Sequence, residues 1–487
     1  MASRPHGGRD LTSGPIAKSL LAFALPTLIS SILQSLNGTI NAIWIGRFLG
    51  ENALAATSNA NMIMFLLMAF VFGFGMAATV LIGQAFGRRD VDGARQVIGT
   101  AVGFFLFVAA LIAILGWIFS PALLKLLATP AGAAPLALDY LRVIFISIPG
   151  ILILVLLMMG MRGAGDAMTP LWFMIVAVLL DSGFNPVFIL GLGPAPRLGI
   201  AGSATATVIA NYTALIGLVA YIYIRDLPLR LKGRELRYLV CNRALLKTII
   251  VKGVPMGLQM IVISGSALAL IGLVNREGVE TTAAFGVAMQ LWTYLQMPAM
   301  ALGAAVSAMA AQNIGAGKWD RVSVITRSAI GFTLLITGVL VVLLAFADRP
   351  ALALFLGGHS PALPIARHIQ LIATWSFLLM GVTMVLFGTV RANGAVIGPL
   401  VILAIGLIPV RLGFAFGAYP WLKADALWIS FPVSSLANVT MAIAFYLHGG
   451  WKKARMGPMQ HGPLDENEAI EEALAEGEPG GRLNPAG

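Results

Sequence analysis

MRGAGDAMTP, Met161 to Pro170, and VRANGAVIGP, Val390 to Pro399, are two copies of one skeleton, and their separation decides the fold. Arg162, Gly165 and Pro170 recur as Arg391, Gly394 and Pro399, and 391−162, 394−165 and 399−170 all give 229. A second pair, LIGQAFGRR around Gln84 and Gly87 and MAAQNIGAGK around Gln312 and Gly315, is offset by 312−84 = 228. Pro26 in FALPTLIS and Pro255 in KGVPMGLQ, which open the two halves, are again 255−26 = 229 apart. A separation of about half the chain, constant to one residue, reads as two related halves.

What the halves are made of follows from composition. With 58% hydrophobic residues, 11% charged residues and a mean hydropathy of +0.88, the 487-residue chain is no soluble globule, where about 25% of residues are charged. Membrane helices take about 20 apolar residues each, and the uncharged runs accommodate about twelve, six per half. The expected fold is therefore an all-α polytopic membrane protein: two homologous six-helix bundles around a central cleft.

The net charge of +11 does not point to nucleic acid, because the basic residues sit on alternate loops. Arg4, Arg9 and Lys18 precede the first span, Arg88, Arg89 and Arg95 follow the second, and Arg225 to Lys252 after the sixth is dense in them. Lys318, Arg321 and Arg327 follow the eighth, and Lys452, Lys453 and Arg455 the last. The positive-inside rule then puts both termini in the cytoplasm of a multi-pass inner (plasma) membrane protein. The boundaries read as a cytoplasmic N-terminus (1–18), an N-lobe bundle (19–224), a cytoplasmic linker (225–252), a C-lobe bundle (253–450) and an acidic disordered tail (451–487). The single cysteine, Cys241, excludes an internal disulfide and a cysteine metal cluster.

Polar residues inside spans carry the functional information. Ser30, Gln34, Asn37 and Asn41, spaced four, three and four apart, share one face of the first span and suggest a wet cavity wall. Asp181 is the one carboxylate well inside a predicted helix, where an acidic residue costs about 2.5–3.5 kcal/mol and is rarely placed without function. Asn185 follows one turn on, beside Pro186, while Thr207 and Asn211 are a turn apart in the sixth span. Shifting these positions by 229 gives Gln259, Ile263, Ser266 and Leu270, and Val410 and Phe414, so the second half lacks the cluster. Gln290 and Arg411 are scattered polar positions there, and Arg411 reads as a snorkelling or carbonyl-bonded arginine or as an anion contact.

Several chemistries are excluded. No GxxxxGK[ST] occurs, so ATP does not drive this chain; energy comes from an ion gradient, or there is no pump. No HExxH is present and the five histidines are scattered, so neither metal hydrolysis nor a bound cofactor is expected. A membrane-embedded enzyme would need paired catalytic groups, and Asp181 has no partner carboxylate.

Taken in order, ALP at Ala24 to Pro26, ALAA at Ala53 to Ala56, GQAFG at Gly83 to Gly87, RGAGDAMTP, GIAGSATAT, GVPMGL and AAQNIGAGK resemble the multidrug and toxic compound extrusion (MATE) transporters. These belong to the wider superfamily that includes flippases for lipid-linked sugar precursors. The resemblance spans about residues 17 to 450. It implies extrusion of small organic cations against protons or sodium by a monomer in the lipid bilayer, with no nucleic-acid partner. It also implies an N-lobe ion-coupling and substrate pocket of Asp181, Asn185, Asn41 and Thr207, with Gln34, Asn37, Asn211, Gln259, Gln290 and Arg411 as cleft-lining positions. The family usually has aspartate where this chain has Asn41, an asparagine-then-aspartate order where it has Asp181 then Asn185, and in one branch glutamate where Ile263 stands. One titratable group favours proton coupling, although sodium at Asp181, Asn41 and Asn185 stays open, as does a flippase reading if Arg411 meets pyrophosphate. The opposite wall is expected to be apolar, rich in Met and aromatics.

Overall fold

The computed structural model describes residues 10–126 and 132–457, apart from the side chains at 51, 52, 54, 55, 58, 59, 62, 63 and 66. Arg4, Arg9, the side chain of Asn59 and the acidic run from Asp465 onward lie outside the described residues. The first half comprises α1 (Ile16–Leu49), α2 (Glu51–Gly87), α3 (Val91–Leu126), α4 (Ala134–Gly163), α5 (Met168–Leu190) and α6 (Ile200–Ile224). The second comprises α7 (Arg243–Val274), α8 (Val279–Gly315), α9 (Trp319–Phe346), the short α10 (Asp348–Leu356), α11 (Ala362–Ala373), α12 (Ser376–Ala392), α13 (Ile397–Ile405), α14 (Gly413–Leu422) and α15 (Asp425–His448). A π-helical turn, Gly406–Leu412, joins α13 to α14. Among the described residues 11 helices are long and apolar enough to cross a membrane, or 12 if α11 and α12, bent by 46°, form one span. Because hydrocarbon offers no partner for open backbone, only helices or closed barrels satisfy such runs, and the expected all-α plan of two six-helix bundles around a cleft holds.

The repeat survives in the helix ends while local detail diverges. Pro26 and Pro255 sit well inside α1 and α7 rather than at their starts. α5 continues through Pro186 to Leu190, as membrane helices do when neighbours re-satisfy the freed carbonyl. α4 is continuous, whereas its counterpart is broken at Thr374 and Trp375, where the Thr374 hydroxyl accepts from Trp292 Nε1 at 3.0 Å.

The halves meet from the basic loops inward to the depth of Gly73, 87−73 = 14 residues before the end of α2. A Cβ on Gly73 would come within 2.4 Å of Gly253 O, one on Gly87 within 1.9 Å of Gln312 O, and one on Gly315 within 2.1 Å of Gln84 O. Helices that approach this closely need the missing side chain, which explains why both repeat copies keep Gln and Gly at the anchor. Gln84 Nε2 donates to Ala392 O at 2.7 Å and Gln312 Nε2 to Gly163 O at 3.1 Å, so each glutamine ties one half to a helix end of the other. The chain before α1 closes the same seam: Leu11 N donates to Gln312 Oε1 at 3.1 Å and Asn313 Nδ2 to Leu11 O at 3.0 Å.

Two segments outside the bundles are held against them. The linker folds a 3-10 turn, Gly233–Leu239, onto α3, with Arg95 bonded to Glu235 at 2.7 Å and to Pro228 O at 2.9 Å. The chain after Gly450 does not leave the bundle at once: Trp451 is 2% exposed against Tyr446, and Asn393 Nδ2 donates to the carbonyls of Trp451, Lys452 and Ala454. The disordered reading from residue 451 is corrected for this start, because an indole that would otherwise face water buries itself there.

Candidate functional site

Asp181 stands thirteen residues into α5, about 20 Å from the basic end at 1.5 Å per residue. It is 2% exposed. Its carboxylate has no ion-pair partner among the described residues. Neutral donors surround it instead. Oδ2 accepts from Asn37 Nδ2 at 2.7 Å and Asn41 Nδ2 at 2.9 Å; Oδ1 accepts from Thr207 Oγ1 at 3.0 Å and Asn185 Nδ2 at 3.3 Å. Asn185 also donates to Asn41 Oδ1 at 2.9 Å, so α1, α5 and α6 are knitted through one polar knot.

The arrangement follows from helix periodicity. Residues four apart lie on one face, so Asn37 and Asn41 of α1 both reach the carboxylate, and Asp181 and Asn185 of α5 form the opposing pair. Thr207 on α6 contributes from the third side, with Asn211 Nδ2 bonded to Thr207 O at 2.8 Å one turn on. The small residues before it, Gly202, Ser203 and Ala204, are buried and let α6 lie against α5, where a Cβ on Gly202 would fall 2.4 Å from Phe188 O.

The four proposed pocket residues, Asp181, Asn185, Asn41 and Thr207, therefore meet at the Asp181 carboxylate, and Asn37 joins them as a direct partner rather than a remote wall position. Gln34, by contrast, is exposed. Gln259 is buried between α7 and the chain entering α13, donating to Val396 O at 3.4 Å, and Gln290 touches Tyr294 Oη at 3.5 Å. The structure brings neither to Asp181. Two participants escaped sequence reasoning: Ser182, whose hydroxyl approaches Asn37 Oδ1 at 3.5 Å, and Tyr140 of α4, buried within electrostatic reach of Asp181. Ser182 follows Asp181 directly and was readable; Tyr140 is marked only by packing.

Chemically, four N–H and O–H donors can stabilise a carboxylate without a counter-ion, and the same carboxylate accepts a proton or faces a cation. Asn185 Oδ1 is buried without a donor. Among the described residues no group of three or more His, Cys, Asp or Glu side chains could hold a metal ion.

The second half carries a different polar set. α7, α8, α12 and α15 enclose a cavity of about 210 Å³ that Arg411 borders from the π-helical turn. Its wall holds Met289, Met380, Met384, Trp292 and Phe377, as expected, but also Ser264, Gln296, Thr383 and Asn438, so the purely apolar wall is corrected. These polar positions are not the repeat images of the first-half cluster, and the shift by 229 could not find them.

Duplicated six-helix bundles with a polar knot buried at mid-membrane follow the plan of a secondary transporter. The MatE family model matches residues 26–187 and 255–416, two copies separated by 255−26 = 229. The chain belongs to this family, the MATE efflux transporters. It is 35% identical over 441 residues to a probable multidrug resistance protein, YoeA, of Bacillus subtilis, covering 90% of this chain and 95% of that one. A protein of Shewanella oneidensis named as an FAD transporter is 28% identical over 350 residues, covering 72% and 76%. Among solved structures, an outward-facing multidrug resistance MATE transporter superposes with a TM-score of 0.83 at 20% identity, covering 92% of this chain and 98% of that one.

Proposed function

We propose that the protein is an antiporter that extrudes organic cations in exchange for protons, with Asp181 as the shared binding site. The observation that carries this reading is a buried carboxylate held by four neutral donors, with no cation within ion-pair range among the described residues. A proton and a cationic substrate compete for it, because burial makes its free charge costly and either partner relieves that cost. Competition for one site is antiport: in the outward-open state protonation releases the cation, and in the inward-open state an arriving cation displaces the proton. The multidrug resistance name of the Bacillus subtilis relative supports drug-like cargo.

Sodium is the second reading. It prefers several oxygen ligands, whereas Asn37, Asn41 and Asn185 turn N–H groups toward the carboxylate. Turned that way, these amides give sodium no oxygen at the carboxylate, which leaves the proton as the simpler partner. A flippase of lipid-linked pyrophosphates would want several cations in its cleft, and Arg411 is the one that borders the second-half cavity.

In the same reading the protein is a monomer in the inner (plasma) membrane with its basic end and both termini in the cytoplasm. Residues 19–224 and 253–450 form the moving lobes and 225–252 the linker. The test uses Asp181→Asn in vesicles with an imposed pH gradient and no sodium. Gradient-driven substrate uptake should vanish. Retained uptake rejects the site, and wild-type uptake that requires sodium rejects the ion.

A further inference from the structure

We propose that the Arg411 cavity is an anion site, which takes the carboxylate or phosphate group of an aromatic organic molecule. The cargo range then includes zwitterionic and anionic compounds. This goes beyond proton exchange at Asp181 and does not depend on it.

Arg411 is held in place but not satisfied. Its Nε donates to Ser434 Oγ at 3.0 Å and its guanidinium lies 4.5 Å from the Phe431 ring centroid. A guanidinium has five N–H donors, and those on Nη1 and Nη2 make no hydrogen bond among the described residues. No carboxylate lies within ion-pair distance of it there. An arginine in a membrane span normally finds a carbonyl or an acid; this one is braced at one edge and stacked on a ring, which leaves its fork free for a planar oxyanion.

Two further observations point the same way. The turn that carries Arg411 is π-helical, Gly406–Leu412, a geometry frequent at functional sites. Asn438 lines the same cavity at 7% exposure, with its Oδ1 lacking any donor and its Nδ2 making no hydrogen bond among the described residues. Its amide packs so tightly on Gly406 that a Cβ there would fall 1.9 Å from Oδ1. The cavity thus offers unused donors from Arg411 and Asn438, beside a platform in which the Trp292 and Phe431 centroids are 5.0 Å apart. Trp292 Nε1 is already committed to Gln370 and Thr374, so the indole supplies surface, not a donor. At about 210 Å³ the space exceeds the roughly 150 Å³ that holds a benzene ring.

The experiment is equilibrium binding to the full-length protein in phosphatidylcholine nanodiscs, without any gradient. The probes are 2-naphthoate, 2-naphthyl phosphate and 2-naphthylmethylamine, which share a ring and differ in charge. Arg411→Gln should weaken both oxyanions by roughly tenfold or more and leave the amine within about twofold. Asn438→Asp, which places a carboxylate beside the guanidinium, should abolish oxyanion binding even where Arg411→Gln folds poorly. Asp181→Asn should leave oxyanion binding unchanged, which separates this site from the exchange site. Unchanged oxyanion affinity in a folded Arg411→Gln or Asn438→Asp protein overturns the proposal. So does equal loss of all three probes, which would make Arg411 a structural brace. Displacement of the oxyanions by phosphatidylglycerol nanodiscs would assign the cavity to a lipid headgroup and overturn it as well.

Discussion

Asp181 has four donors because three helices each contribute at least one side chain at the same depth. Removing a donor from a buried charge-bearing acceptor costs about 1.5–3 kcal/mol, so Asn37→Leu and Asn41→Leu should each lower proton-driven transport about tenfold or more. Asn41 bonds both Asp181 and Asn185, at 2.9 Å each, so the double change Asn41→Leu with Asn185→Leu should cost less than the sum of the single ones. Initial uptake rates in proteoliposomes, normalised to inserted protein, measure both effects, and strict additivity would separate Asn185 from the knot. Much of this site was readable from the chain, since an aspartate in an apolar run and asparagines four apart need only helix periodicity. Tyr140 and the true neighbours of Gln259 were not, because they depend on which helix lies opposite.

At the level of elements, the seam between halves is set by backbone contact. Gly87 and Gly315 sit against Gln312 O and Gln84 O, the carbonyls of the same repeated anchor. Gly87→Ala should wedge this end apart and populate the alternative conformation. Spin labels at Arg88 and Lys318, on a background lacking Cys241, should report a longer distance in the variant than in the parent. An unchanged distance with intact folding would mean that Gln312 yields locally. The bend between α11 and α12 has no counterpart in α4, and the duplicated sequence did not reveal it. The break accompanies a local network in which Trp292 reaches Gln370 and Thr374, a contact between α8 and the bent span that no repeat offset encodes.

For the whole molecule, structure continues past residue 451, through the turn Gly450–Lys453 to the buried Met456. Deleting 458–487 should leave efflux intact, since that acidic run has no apolar periodicity to bury. Deleting from Gly450 should lower both abundance and melting temperature, because Trp451 and the carbonyl partners of Asn393 go with it. Membrane abundance and efflux measured together distinguish the two truncations. The duplication, the all-helical plan, the number of spans and the buried aspartate were determined by the sequence itself, because hydrocarbon imposes helix length and polarity on each segment independently of its neighbours. The closed seam, the bent span and the cavity in which Arg411 meets Ser434 and Phe431 were decided only by tertiary structure. Those features depend on which faces of separate helices are pressed together, and a period of 3.6 residues tells which side chains share a face but not what that face meets.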